Sequence, residues 1–261
     1  MLGDDIMEKS LYNKFKQDLG ISDAINEYIE VLLRQFEKSP HDESSFQSIA
    51  SEFGIRVNDV SPQTAIQKIR EYYIITVYQV FEDFLSKMHS FLKKYGKYNE
   101  NKDRSISMLQ NIHGNLIGMR KTSETPYLCY LICDYYRLVR NLCAHTDNID
   151  KVQKAYQKLI ERRGEIEVLF KQLQAPNEYG SICFDDFILY SRAAKKLAEL
   201  YTEKVVYDVD KIIDNFDIKR LHIYKNNIAR LRNAIETELK FNFCMKPEII
   251  KNVIDKLVQK I

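Results

Sequence analysis

Arg140, Asn141 and His145 bring a permanent cation, a neutral hydrogen-bonding amide and a titratable imidazole within six consecutive residues. Arginine offers a planar fork of donors that matches phosphate oxygens. Histidine is the side chain that takes and gives protons near neutral pH. Together they suit cleavage of a ribose phosphodiester. That reaction needs a base for the 2′-hydroxyl proton, a cation for the charge growing on the phosphorane oxygens, and an acid for the leaving 5′-oxygen.

An ideal helix turns about 100° per residue. Arg137, Asn141 and His145 then stack on one face, with Arg140 on its neighbouring edge and Asp134 one turn earlier. Leu128, Leu131, Tyr135, Leu138 and Leu142 are expected on the opposite, core side. Glu82 and Asp134 are the carboxylates expected to support the site by holding the Arg140 fork, with Arg137 as a further supporting cation. Lys151, Lys154 and Lys158, continued by Arg162, form a basic stripe able to steer RNA. The competing reading of each cation is plainer: a solvated helix C-terminus for Arg140 and His145, and a solvated face for the lysines. Each chain supplies one such His, so a complete acid–base pair calls for a two-fold homodimer.

Helical segments must position these groups. Ile25, Tyr28, Ile29, Leu32, Leu33 and Phe36 predict an amphipathic helix over Asp23–Glu37, capped by Ser22 or Asp23 and stopped at Ser39-Pro40. A short helix over Glu43–Phe53 follows, ended by Gly54. Pro62 opens a long helix to about Lys94. Its core stripe is Ile69, Tyr73, Ile74, Val77, Phe81, Phe84, Leu85, Met88, Phe91 and Leu92, with Glu71, Glu82 and Asp83 beside it, and Gly96 ends it. Ile106–Met119 holds one helix weakened by Gly114 and Gly118. Pro126 starts the helix that ends at His145. Asp147 or Asn148 caps the next, Ile149–Gln174, interrupted by Gly164. Further helices are expected from Asp185 or Asp186 to Val206, over Ile218–Phe241, and from Pro247 onward; Val206–Asp217 is ambiguous.

Composition agrees with an all-α fold. Gly and Pro number only eight and five, too few for the turns of an all-β chain, while 45% hydrophobic residues exclude a disordered one. Net charge is +2, so any nucleic-acid footprint must be local. The five Cys include no CxxC pair, which points to a reducing compartment and away from a zinc knuckle or disulfide framework. The start of the chain lacks a secretory h-region, and the most apolar run, Tyr72–Phe81, is too short to span a bilayer. A soluble, cytoplasmic protein is expected, without cofactor. No carboxylate cluster with metal-ligand spacing appears, so no metal is expected.

Arg140-Asn141-Leu142-Cys143-Ala144-His145 resembles the Arg-Asn-x-x-Ala-His form of the Arg-x4–6-His motif of HEPN domains. Val80-Phe81-Glu82-Asp83-Phe84-Leu85 resembles the aromatic-Glu-x-Phe-Leu segment of an early HEPN helix, and Asp186–Leu200 loosely resembles a late one. The resemblance covers about residues 60–207. It implies a HEPN-like helical bundle at 60–207, flanked by helical extensions at 1–59 and 208–261, all packed as one unit. It further implies a metal-independent endoribonuclease that leaves 2′,3′-cyclic phosphate and 5′-hydroxyl ends, with a composite site in a homodimer. His145 would be the acid or base, Arg140 would hold the phosphate, and Asn141 would orient one of them. Members serve as toxins or anti-phage effectors, so an antitoxin or defence-system partner is expected. Some toxin members carry Tyr two residues after the His; here that residue is Asp147, which departs from the arrangement in which an antitoxin modifies that Tyr. Other members are non-catalytic dimerisation or RNA-binding modules, and that is the alternative.

Overall fold

The computed structural model describes residues 8–38, 43–57, 60–119, 125–144, 149–217, 219–224, 226–243 and 247–260. The fold is all-α. The helices are α1 (Glu8–Glu37), α2 (Glu43–Glu52), α3 (Pro62–Tyr95), α4 (Met108–Leu116), α5 (Thr125–Ala144), α6 (Ile149–Ile160), α7 (Arg163–Leu169), α8 (Phe184–Glu203), α9 (Val209–Asn215), α10 (Ile228–Phe243) and α11 (Pro247–Lys260), with a 3-10 helix at Lys219–Tyr224. Contacts divide the chain into two units, the first from Met1–Lys16, Glu82–Arg120 and Ala198–Ile261, the second from Gln17–Phe81 and Lys121–Leu197. Both are discontinuous, whereas the expected division at residues 59 and 207 is sequential. Segments of α1, α3 and α8 fall in each.

In the second unit, α3 buries Tyr73, Ile74, Val77 and Phe81. The Tyr73 ring meets Phe184 and Phe187 of α8 edge-on, at 6.3 and 5.7 Å. Tyr136 of α5 stacks on Tyr190 of α8 at 5.1 Å. The start of α8 is fixed by Asp186, which is fully buried. One carboxylate oxygen accepts from the Tyr136 hydroxyl and the Asn177 N–H, each 2.8 Å; the other accepts from the Asn177 side-chain amide and the Cys183 N–H, also 2.8 Å. Reaching back to the residue that precedes the helix is the capping-box arrangement. Asp185 and Asp186 thus lie inside the first turn of α8 rather than before it.

The first unit is organised around the end of α3. Gly96 forms an isolated antiparallel bridge with Tyr207, flanked by Lys97 N–H to Val206 O (2.7 Å) and Asp208 N–H to Tyr95 O (2.9 Å). A Cβ on Gly96 would stand 3.1 Å from the Leu92 carbonyl oxygen and 3.0 Å from its side chain, a tight fit that favours glycine there. The Asp208 carboxylate caps α9, accepting from the N–H groups of Asp210 and Lys211. Leu231, Ile235 and Leu239 of α10 and Ile250, Val253 and Leu257 of α11 are buried.

Several boundaries differ from expectation, each for a local reason. The helix expected at Asp23 begins at Glu8, because Leu11, Phe15 and Leu19 are buried at helical spacing and carry it past Gly20 and the Ser22–Asp23 capping signal. Its expected core stripe is split: Ile25, Tyr28 and Leu32 are exposed and Ile29, Leu33 and Phe36 half-buried, while Asp23, Asn26 and Glu30 are buried. On α3 the expected stripe is buried except for half-buried Ile69, but Glu71, expected beside it, is 3% exposed. The Ile106–Met119 helix is trimmed to α4, whose first turn is capped by the Ser107 hydroxyl. The Ile149–Gln174 helix breaks before Gly164, at Glu161–Arg162. The helix expected over Ile218–Phe241 is split into the 3-10 turn and α10.

Candidate functional site

α5 is built to be buried over a broad arc. Cys129, Ile132, Cys133, Tyr136 and Val139 recur at spacings of three and four and are fully inaccessible. The expected stripe is only partly right, since Leu128 and Tyr135 are buried but Leu131, Leu138 and Leu142 are half-buried. The buried arc is rotated from the leucine side toward the cysteines and Tyr136, where α8 packs. That rotation brings Arg140 to the margin of the core rather than onto an open face.

Arg140 is half-buried. Its guanidinium lies over the Tyr78 ring of α3, 4.5 Å from the centroid, and Nη1 donates to the Asn141 side-chain oxygen at 3.2 Å. Its Nε is buried without a hydrogen-bond partner, and no carboxylate pairs with it among the described residues. Among the described residues both Arg140 contacts are therefore neutral, which leaves guanidinium donors to offer an anion.

The two carboxylates expected to hold that fork are placed otherwise. Asp134 binds Arg137, with Nη2 at 2.8 Å and Nε at 2.9 Å, because the two are a turn apart on α5 and both near the surface. Arg137 is thereby engaged in an ion pair. Glu82 is exposed on α3 and belongs to the first unit, whereas Arg140 belongs to the second. His145, Asp147 and Asn148 lie outside the described residues; α5 ends at Ala144, directly before His145.

Sequence reasoning missed the surroundings of Cys143. Its thiol donates to the Glu71 carboxylate at 3.6 Å, and Lys68 binds the same oxygen at 2.7 Å. Burial, then the neighbouring Glu71 charge, pushes the Cys143 thiol up to about 12. The hydrogen bond to Glu71 raises Lys68 above its ordinary value, and burial raises Tyr179 nearby, with help from Glu71 and Cys143. Cys143 is thus a protonated thiol at neutral pH, unsuited to act as a nucleophile. The missed signal was Glu71 lying seven residues before Tyr78, on one helical face.

α6 packs on α5, with Tyr135 and Tyr156 rings 5.9 Å apart and Val152 and Leu159 buried. Lys151, Lys154 and Lys158 all face solvent. Arg162 leaves the stripe: Glu165 binds it at 2.7 Å and its guanidinium lies over Tyr127. Among the described residues no three His, Cys, Asp or Glu side chains gather in a way that could hold a metal ion. None of the described helices is long and apolar enough to cross a membrane.

No family model, no curated protein and no solved structure matches this chain.

Proposed function

We propose that this chain is a HEPN-type, metal-independent endoribonuclease that acts as a homodimer in the cytoplasm, as a toxin or anti-phage effector. The observation that carries the reading is the seat of Arg140 at the end of α5. It is held by a ring and an amide, with no carboxylate partner among the described residues, five positions before His145. In this reading Arg140 takes the scissile phosphate, where its charge stabilises the oxygens of the phosphorane. His145 moves the proton of the 2′-hydroxyl or of the leaving 5′-oxygen, and the partner chain's copy moves the other. Asn141 orients Arg140. Lys151, Lys154 and Lys158 supply local attraction for the RNA backbone on a chain of nearly balanced charge.

A second reading is a non-catalytic interaction or RNA-binding module of a defence system. The half-burial of Arg140 against Tyr78 favours it, since an arginine that packs two helices together needs no substrate. The two separate in one experiment: total or transfer RNA is incubated with the protein in EDTA and the product ends are mapped. The nuclease reading expects 2′,3′-cyclic phosphate ends that fall at least about a hundredfold in Arg140→Ala and in His145→Ala. Cleavage unchanged in both variants removes this site. RNA bound but left intact favours the module.

A further inference from the structure

The part of α1 that lies in the second unit is seated with its polar side inward. Asp23, Asn26 and Glu30 are buried, and each is bonded. Ser191 and Lys195 donate to the Asp23 carboxylate at 2.8 and 2.7 Å, and the Asn26 amide donates to the Thr76 hydroxyl at 2.7 Å. Arg34 and Arg70 donate to Glu30, each at 3.0 Å. On the opposite side Ile21, Ile25, Tyr28 and Leu32 are 58, 56, 69 and 53% exposed, with Val31 beside them at 66%. Single exposed aliphatics are ordinary, but a contiguous row is not, because the outer face of a surface helix normally carries charge.

Two properties of the row identify its occupant. Its steps of four, three and four are the spacing of the seam in a helix pair. The row also reads the same in reverse. Laid antiparallel on a second copy, Ile25 meets Tyr28 and Ile21 meets Leu32, giving four apolar layers about a two-fold axis between Ile25 and Tyr28. One position further out at each end, Asp18 faces Gln35, a carboxylate opposite an amide donor. A two-fold interface requires such self-complementarity. With Val31 at the edge, the five exposed side chains offer roughly 600 Å² per chain, so complete cover of both copies would bury about 1,200 Å², the lower end of stable specific interfaces.

We propose that the outer face of α1 is a self-association surface on which a second copy of this chain docks, antiparallel, through Ile21, Ile25, Tyr28 and Leu32. It shares no residue with the Arg140 site and does not rest on the nuclease reading. The test is the mass of the full chain by sedimentation equilibrium over a wide concentration range. Wild type is expected to reach a larger assembly than either variant. Ile25→Glu and Tyr28→Lys should each weaken this association at least about tenfold, with unchanged circular dichroism, because both side chains are exposed. An equimolar mixture of the two variants should recover the wild-type mass, since the antiparallel register sets position 25 against position 28 of the other chain. A wild type no larger than its variants overturns the proposal, as does a mixture that stays at the variants' mass. A monomer that co-sediments with lipid vesicles and loses this in Ile25→Glu assigns the face to a membrane surface instead.

Discussion

Among the described residues, Arg140 is held by contacts that carry no opposing charge. Cation–π contact contributes about 0.5–1 kcal/mol where solvent reaches the pair. Tyr78→Leu should therefore lower RNA cleavage only about two- to fivefold, while Tyr78→Phe, which keeps the ring, should retain it. An equal loss in both would contradict a positioning role for the ring. Cys143 permits a separate check. With its thiol pushed up to about 12, it should resist alkylation at pH 8, and its labelling should rise only as pH approaches that value. Fast labelling of Cys143 at pH 8, read by peptide mass spectrometry, would contradict the buried contact with Glu71. The residue types of the candidate site could be singled out in the sequence because Arg, Asn and His are individually distinctive. Their partners were not. Helical spacing alone cannot show that Asp134 turns to Arg137, or that Tyr78 of a distant helix lies beneath Arg140.

Among the elements, the N-terminal turn of α8 gathers four hydrogen bonds on one buried carboxylate. Removing the Asp186 carboxylate leaves four donors without their acceptor, so Asp186→Ala should cost about 3 kcal/mol or more in urea unfolding. Tyr136→Phe, which removes one of the four, should cost about 1 kcal/mol. α4 supplies a pH test. Burial lowers His113 to about 4, and its Nδ1 lies 3.1 Å from the Tyr201 hydroxyl. The unfolded imidazole takes a proton near 6.5, while the folded one resists until about 4. Its contribution is thus complete above pH 6.5 and lost as pH falls toward 4, amounting to about 3 kcal/mol. His113→Phe should remove that slope, and an unchanged pH profile in the variant would contradict the burial. Periodicity located most helices well, as for α2, α3 and α5, but on α1 only Ile29, Leu33 and Phe36 of the expected stripe are drawn in, each half-buried, and Ile25, Tyr28 and Leu32 face out. Apolar spacing marks the face that will be covered without saying what covers it. Here the hydrogen bond that Asn26 donates to Thr76, and those that Ser191 and Lys195 donate to Asp23, fix the polar face inward.

For the whole molecule, scarcity of Gly and Pro and long apolar-periodic runs were enough to give the all-α class. The discontinuous units were not legible, because they depend on which halves of α1, α3 and α8 touch which partners, a matter of long-range packing. Near-balanced charge, 39 basic against 37 acidic residues, makes any RNA attraction a local property. If Lys151, Lys154 and Lys158 contact phosphates, changing all three to Gln should reduce the slope of log K against log salt by about 2 for single-stranded RNA. An unchanged slope would return that face to plain solvation.

The proposed chemistry depends on the ribose 2′-hydroxyl as the attacking group, with Arg140 of α5 and His145, which follows α5 in the sequence, acting on it. The direct measurement is cleavage, in EDTA, of two RNAs that differ only in a single 2′-deoxy sugar on the 5′ side of the mapped scissile bond. The account predicts that the all-ribose strand is cut to a 2′,3′-cyclic phosphate and that the deoxy strand stays intact at that position. Equal cutting of both strands, or no cutting of any RNA by the wild-type dimer, would contradict it.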